Sequence, residues 1–140
     1  NIHIAKQKEF EMAYMSQERK AQIAPALKAI CKKYGVKASV AVRHHSTLVL
    51  NIKSGAIDFI GNYNERTTNP TGHAKTYIDV NPYWYHNHFS DTAKEFLSEV
   101  FSVMNNGNHD NSDIQTDYFD VGWYVDVNVG RWDKPYELVA

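Results

Sequence analysis

Two histidines in the phrase YWYHNHF have a spacing that suits metal binding. His86 and His88 are two residues apart, and on an extended strand this spacing would place both imidazoles on one face. Imidazole is a common ligand of zinc and other transition metals. Such a site would be completed by His44 and His45 at the tip of a predicted hairpin, or by His109 with Asp110 and Asp113. A metal-dependent hydrolase or nuclease with a divalent transition metal is therefore one hypothesis.

A structural interpretation of the same histidines competes with the metal site. Tyr83, Trp84, Tyr85 and Phe89 surround them, and we expect this run to form an aromatic cap over the start of a helix. The spacing fixes no third ligand, so we favour the structural interpretation and expect no cofactor. In that interpretation His109 is a turn residue beside the last strand.

A run of oxygen ligands precedes the last strand. Relative positions 1, 3, 5, 7 and 12 of a calcium loop would be filled by Asn106, Asn108, Asp110, Ser112 and Asp117. Position 6 is Asn111, where such loops need glycine, and position 12 is an aspartate where a bidentate glutamate is usual. Asn, Asp, Ser and Gly are also the ordinary residues of turns, so we favour a turn.

Segment 118–129 alternates between apolar and polar residues, which predicts a long strand with one buried face. The polar face carries Asp120, Tyr124 and Asp126. If the preceding hairpin pairs beside this strand, these side chains would form a charge lattice with Lys37, Arg43, Asn51 or Lys53. The alternative is that the carboxylates hold a divalent ion for phosphodiester hydrolysis.

Aromatic residues make up 13% of the chain, which exceeds what a core of this size requires. Exposed aromatic side chains are typical of recognition surfaces, where a few of them carry most of the binding energy. The predicted binding surface consists of Tyr83, Trp84, Tyr85, Tyr124, Asp120 and Asp126.

The elements that would position these residues follow from periodicity. Helices are predicted at 16–34 and 90–104, with Ser16 and Ser90 as N-caps, and a hairpin is predicted at 37–53. Shorter strands are predicted at 9–14, 57–60 and 77–80, and an exposed loop at 61–75. The fold class is α+β, with a mostly antiparallel sheet packed against two helices in a variant of the split βαββαβ pattern.

Length and composition exclude several classes of protein. The 140 residues fit a single globular domain, 1–140, and the 15 basic and 16 acidic side chains nearly cancel, which argues against a histone-like protein. The single cysteine, Cys31, excludes an internal disulfide and fits a reducing cytoplasm. The sequence contains no membrane-spanning run, signal peptide, Walker loop or dinucleotide loop. Because the chain begins with Asn1, we expect trimming or excision from a longer chain.

Two long phrases resemble a known type of domain. They are YMSQERKAQIAPALKAICKKYGVKASVAVRHHSTLVLNIKSGAIDFIGNYN and GNHDNSDIQTDYFDVGWYVDVNVGRWDKPY. They resemble an uncharacterised bacteriophage and mobile-element domain of the kind associated with large polyvalent proteins, over residues 14–136. The resemblance implies a phage or mobile-element origin and action inside a bacterial host, and it carries over no catalytic residue.

Together these observations predict a non-catalytic binding module that acts on a host or phage protein in the bacterial cytoplasm. The metal-dependent hydrolase using His86, His88, His109 and the nearby aspartates is the first alternative. The second is a nucleic-acid-binding domain, for which the first helix supplies basic side chains, namely Arg19, Lys20, Lys28, Lys32 and Lys33. The sequence gives no oligomeric state.

Overall fold

The computed structural model describes residues 13–67, 73–74, 76–110 and 121–139. The helices in that part of the chain are α1 (Gln17–Tyr34), α2 (Phe59–Arg66), α3 (Tyr85–His88) and α4 (Asp91–Met104). The strands are β1 (Val36–Arg43), β2 (Thr47–Gly55), β3 (Ile78–Val80), β4 (Tyr124–Val129) and β5 (Glu137–Leu138). The α+β class, the hairpin and the two long helices are confirmed.

The sheet is mixed, so the expectation of a mostly antiparallel sheet is wrong. Its order is β1-β2-β4-β3, with β5 paired to β2 beyond the end of β4. The β1–β2 and β3–β4 pairs are antiparallel, but β2 and β4 are parallel. A parallel pair needs a long crossover, and here α2, β3, α3 and α4 all lie between the two strands. This parallel pair also departs from the split βαββαβ pattern.

The first helix has the ends that the sequence predicts. The Ser16 side chain accepts a hydrogen bond of 3.0 Å from the N–H of Arg19, which caps the helix. Gly35 ends it with φ at 68°, a conformation that suits glycine. Leu27 and Cys31 lie on its buried face. The capping residues in the local sequence therefore determine where this helix begins and ends.

Segment 57–66 differs from its prediction. We expected a strand at 57–60 and a loop from 61 onward, but α2 begins at Phe59. Asp58 caps this helix by accepting a hydrogen bond of 2.9 Å from the N–H of Gly61. Phe59 is fully buried, with its ring in edge contact with those of Phe89 and Phe96. Tertiary burial of one aromatic side chain therefore overrides the turn-like composition.

The second long helix, α4, begins where predicted, but its capping differs. Ser90 occupies the N-cap position without a side-chain hydrogen bond to the helix. The Asn62 amide instead binds Ser90 twice, because its Nδ2 donates to the Ser90 hydroxyl and its Oδ1 accepts from the Ser90 N–H. The start of α4 is thus fixed by α2.

The remaining predicted strands have mixed outcomes. The predicted strand at 77–80 is confirmed as β3, whereas the long strand predicted at 118–129 begins only at Tyr124. Residues 118–120 and most of the predicted strand 9–14 lie outside the described residues, and Tyr14 is not in a strand.

The two faces of the sheet carry different side chains. Leu48, Leu50 and Ile52 of β2 and Val127 and Val129 of β4 face the helices within one hydrophobic cluster. The opposite face of the same strands carries polar side chains and Val49, which is buried although it lies outside that cluster. Helices therefore cover one face of the sheet, in a two-layer arrangement.

A polar contact joins the two long helices and gives stability a dependence on pH. The Tyr34 hydroxyl and the Lys33 ammonium both bind the Glu99 carboxylate, and these bonds lower the pKa of Glu99. Because the folded-state pKa is depressed, its stabilising effect is complete above the unfolded-state pKa of about 4.3. That effect disappears as the pH falls through the lowered folded-state value.

We therefore expect Glu99→Gln to be less stable than the wild type at neutral pH, with the difference shrinking at acid pH. Urea denaturation between neutral pH and the acid range measures this difference. Glu95→Gln is the matched control, because Glu95 lies on the same helix and forms neither hydrogen bond. A difference that stays constant over the acid range would contradict this assignment.

The tip of the β1–β2 hairpin contains strained backbone. His44 and His45 have φ of 54° and 57°, a left-handed conformation that costs an L-residue about 1–2 kcal/mol. Glycine adopts it without a steric cost, although it loses more conformational entropy on folding. We expect His45→Gly to raise the free energy of unfolding by up to about 1 kcal/mol.

Chemical denaturation of His45→Gly beside Ser46→Gly tests this expectation. Ser46 lies in the same turn but has no positive φ, so its replacement should bring no gain. A less stable His45→Gly would mean that the imidazole makes contacts that outweigh the strain.

Candidate functional site

A cleft of about 430 Å³ lies where β3, α4 and β4 come together. Pro82 and Tyr83, which follow β3, form one wall, and Tyr124 and Val125 of β4 form another. The remaining lining residues come from the end of α4 and the approach to β4, namely Asn105, Asn108, His109, Asp110, Val121 and Trp123. This cleft, called here the Tyr83–Tyr124 cleft, brings together two tyrosines of the predicted binding surface.

The aromatic residues beside the cleft are exposed and held by a local turn. The Asn81 side-chain oxygen accepts hydrogen bonds of 2.8 Å and 3.0 Å from the backbone N–H groups of Tyr83 and Trp84. The exposed fractions of these two residues are 74% and 57%, and that of Tyr124 is 51%. The backbone that carries these rings is therefore ordered before any partner binds.

Tyr85, which the sequence also placed on the binding surface, packs against α4 and does not line the cleft. Its ring lies 4.8 Å from that of Phe101, and its hydroxyl donates to the Ser98 hydroxyl at 3.3 Å. Tyr85 begins α3 and points toward α4, where it is partly buried against the core. The aromatic run thus divides into two exposed rings and one packed ring.

The floor of the cleft depends on the pairing of Asn108 with Trp123. The Asn108 amide accepts from the Trp123 N–H at 3.0 Å and donates to the Trp123 carbonyl at 2.9 Å. Gly122 permits this approach, because a Cβ there would lie 2.5 Å from the Asn108 oxygen. Trp123 is itself buried, and its indole N–H donates to the Met104 carbonyl at 3.0 Å.

The two chain segments beyond this pair also lie side by side. The Gly122 N–H donates to the His109 carbonyl at 2.9 Å, and Asp110 forms an antiparallel bridge with Val121. His109 and Asp110 therefore stand on paired backbone at the edge of the cleft. Asn108, which we considered as a calcium ligand, uses its side-chain oxygen to accept from the N–H groups of Trp123 and His109. Ser112 and Asp117 of that loop lie outside the described residues.

The metal hypothesis loses one of its premises. His86 and His88 lie on the short helix α3 and not on a strand, so their spacing does not place them on one face. The His86 ring contacts Tyr85 and the His88 ring contacts Tyr63 at centroid distances of 5.6 Å and 5.7 Å. Among the described residues no group of three or more His, Cys, Asp or Glu side chains could hold a metal ion. Asp113 lies outside the described residues.

The polar face of β4 forms part of the charge lattice that its sequence predicts. Asp126 binds Arg43 across β2 at 2.9 Å, and the Asn128 amide donates to Asn51 at 3.2 Å. Asp126 is therefore paired on the polar face of the sheet, and it is not among the described residues that line the cleft. Asp120, the other carboxylate of the predicted surface, lies outside the described residues.

Cys31 lies at the helix–sheet interface as a small core residue. Its burial raises the pKa of the thiol, which disfavours the thiolate that a nucleophile requires. This agrees with the expectation that Cys31 belongs to the core.

Sequence reasoning missed Asn105, Pro82 and the true role of Asn108. The available signal was weak, because an asparagine in the phrase NNGNHD is typical of a turn whether or not its side chain reaches a distant strand. Only the fold shows that Asn108 pairs with Trp123, fifteen residues later.

Comparison with protein-family models, with curated proteins and with solved structures finds no match for the chain. The resemblance to a phage and mobile-element domain therefore stays a prediction. No helix in the described part of the chain is long and apolar enough to cross a membrane.

We expect Asn108→Ala to lower the free energy of unfolding by about 1–3 kcal/mol, because it leaves the Trp123 N–H and C=O without partners. Asn105→Ala is the control, because its side chain only accepts one hydrogen bond from Asn108. Urea denaturation followed by circular dichroism measures both variants. Equal losses would show that Asn108 does not hold Trp123 in the way described.

Proposed function

We propose that this chain is a non-catalytic binding module of phage or mobile-element origin that captures a host or phage protein in the bacterial cytoplasm. Tyr83, Trp84 and Tyr124 are the contact residues, and the Tyr83–Tyr124 cleft receives an apolar side chain of the partner. The observation that carries the proposal is the exposure of two tyrosine rings, Tyr83 and Tyr124, that line one cleft, with the exposed Trp84 next to Tyr83 in the chain. The resemblance of the sequence supplies the proposed origin.

The geometry of these rings favours a protein partner. Interface hot spots are enriched in Trp and Tyr, because their rings bury a large area and lose little conformational entropy. The Asn81 hydrogen bonds and the Asn108–Trp123 pair fix the backbone on two sides of the cleft. A partner therefore has few residues to order when it binds, which lowers the entropic cost of association.

The charges around the cleft argue against nucleic acid as the partner. None of the described lining residues is Lys or Arg, and Asp110 adds a carboxylate. Nucleic-acid binding draws most of its affinity from cationic contacts to phosphates. Arg19 lies over the Trp123 ring at 4.8 Å, but it does not line the cleft. A protein surface that presents an apolar side chain and a hydrogen-bond donor fits these features better.

The metal-dependent hydrolase remains a prediction without a supporting contact. It requires His86, His88, His109, Asp110 and Asp113 to converge, and the described members of this set form no cluster that could hold a metal ion. Elemental analysis of the purified protein, beside a phosphodiesterase assay on bis(p-nitrophenyl) phosphate, provides the direct measurement.

We expect Tyr83→Ala to weaken partner binding by ~2 kcal/mol or more, which is about thirty-fold, because an exposed aromatic at an interface centre carries this much energy. The thermal midpoint should stay within a few degrees, since the ring is largely exposed. The immobilised protein is used to capture a partner from bacterial lysate, the captured protein is purified, and its Kd is measured by calorimetry.

The matched control is Trp132→Ala, which removes an aromatic ring that is 80% exposed and does not line the cleft. This variant should bind the purified partner as the wild type does. If Trp132→Ala loses binding and Tyr83→Ala retains it, the proposed surface is wrong. If the phosphodiesterase assay shows turnover that His109→Ala abolishes, the hydrolase replaces the binding module.

A further inference from the structure

Within the described part of the chain, β1 forms one end of the strand order, and its outer edge has no paired strand there. This eight-residue strand pairs with β2 on one side, and no described strand or helix pairs with its other side. A β-bulge lies between Lys37 and Ala38 at one end, and Arg43 stands at the other. The five residues between them, 38–42, carry no charge. Their outer N–H and C=O groups offer a template for an added strand.

An apolar groove of about 350 Å³ runs beside this edge, between α1 and β1. Its apolar lining consists of Leu27, Cys31, Val36, Ala38, Val40 and Leu50. Ala38 and Val40 are only partly buried, although they face the helix layer. Because α1 covers the strand incompletely, a strand added to β1 could place its own side chains in this groove.

Three lysines surround the groove, namely Lys28 and Lys32 of α1 and Lys37 of β1. All three are exposed, and none forms an ion pair within the described part of the chain. Lys33 on the same helix and Arg43 on the same strand are, by contrast, paired with Glu99 and Asp126. Positive charge without a counter-charge is therefore concentrated where the sheet edge is open.

A second copy of the chain fits this edge poorly. In a symmetric antiparallel pair of β1 strands centred on Val40, Lys37 of each copy would face Arg43 of the other, and like charges in directly opposed positions are destabilising. The charge at the groove instead complements a chain that carries carboxylates.

We propose that the open edge of β1 binds an extended acidic peptide segment, which adds to the sheet as an antiparallel strand. Its backbone pairs with residues 38–42, and alternate apolar side chains enter the groove. Two successive acidic residues at each end of the segment place one carboxylate on each face of the sheet, where they meet Lys28 and Lys32 on the side of α1 and Lys37 on the other side. This surface is separate from the Tyr83–Tyr124 cleft, because β1 and β3 stand at opposite ends of the strand order. The inference therefore does not rest on the proposed function.

The probe is a fluorescein-labelled peptide of sequence EEVTVTVEE, and its binding is followed by fluorescence anisotropy. Against the wild type, the double variant Lys28→Glu with Lys32→Glu should weaken binding at least ten-fold, because two attractions become repulsions. The matched control is Lys94→Glu with Lys134→Glu, which changes the net charge equally away from the groove and should leave binding within about two-fold.

Backbone pairing is tested with two N-methylated versions of the same peptide. Alternate N–H groups of an added strand point toward β1, so methylation of one alternate set should abolish binding and methylation of the other set should leave it unchanged. Equal binding by the two double variants, equal effects of the two methylation patterns, or no binding of EEVTVTVEE would each overturn the proposal. A dimer that is seen in sedimentation and not dissociated by the peptide would assign the edge to a second copy instead.

Discussion

The position of Trp123 is the constraint on which the rest of the structure depends. Its indole N–H bonds to Met104 at the end of α4, its backbone pairs with Asn108, and Arg19 of α1 lies over its ring. One buried side chain thus joins the end of α4, the beginning of α1 and the start of β4. Because Trp123 immediately precedes β4, these contacts set where that strand enters the sheet, and they form the floor of the cleft at the same time.

The parallel pairing of β2 with β4 follows from this entry point and shapes both surfaces of the protein. It places β2 between β1 and β4, and residues 47–50 of β2 are buried in succession, on both faces of the sheet. β1 and β3 are left at the two ends of the strand order. The residues after β3 can then reach the start of β4 and form the cleft, while no described strand pairs with the outer edge of β1.

Periodicity predicted the elements whose stability is local, namely α1, the hairpin and α4. It predicted neither α2 nor the shortened last strand, because these depend on asparagine side chains that bind distant backbone: Asn62 at Ser90, Asn64 at Ala74 and Asn108 at Trp123. In the sequence each of these asparagines is typical of a turn. Long-range contacts also limited how much of the candidate site could be predicted. Tyr83 and Tyr124 could be predicted from residue type and alternation, but Tyr85 could not be assigned to the core, nor could Asn108 be assigned to the floor.

The net charge of −1 does not describe how the charged side chains are distributed over the surface. It argues correctly against attraction of the whole molecule to polyanions, since such attraction needs a large excess of one sign. The net charge does not predict the local charge of a groove of a few hundred cubic ångströms. Because the Debye length is about 8 Å at physiological salt, the electrostatic potentials of three neighbouring lysines add together there. Lys28 and Lys32 come together through helical spacing, and Lys37 joins them only because the chain reverses at Gly35 and β1 returns beside α1. The three lysines at the groove beside β1, and the absence of Lys and Arg from the described lining of the Tyr83–Tyr124 cleft, are therefore properties of the fold and not of the composition.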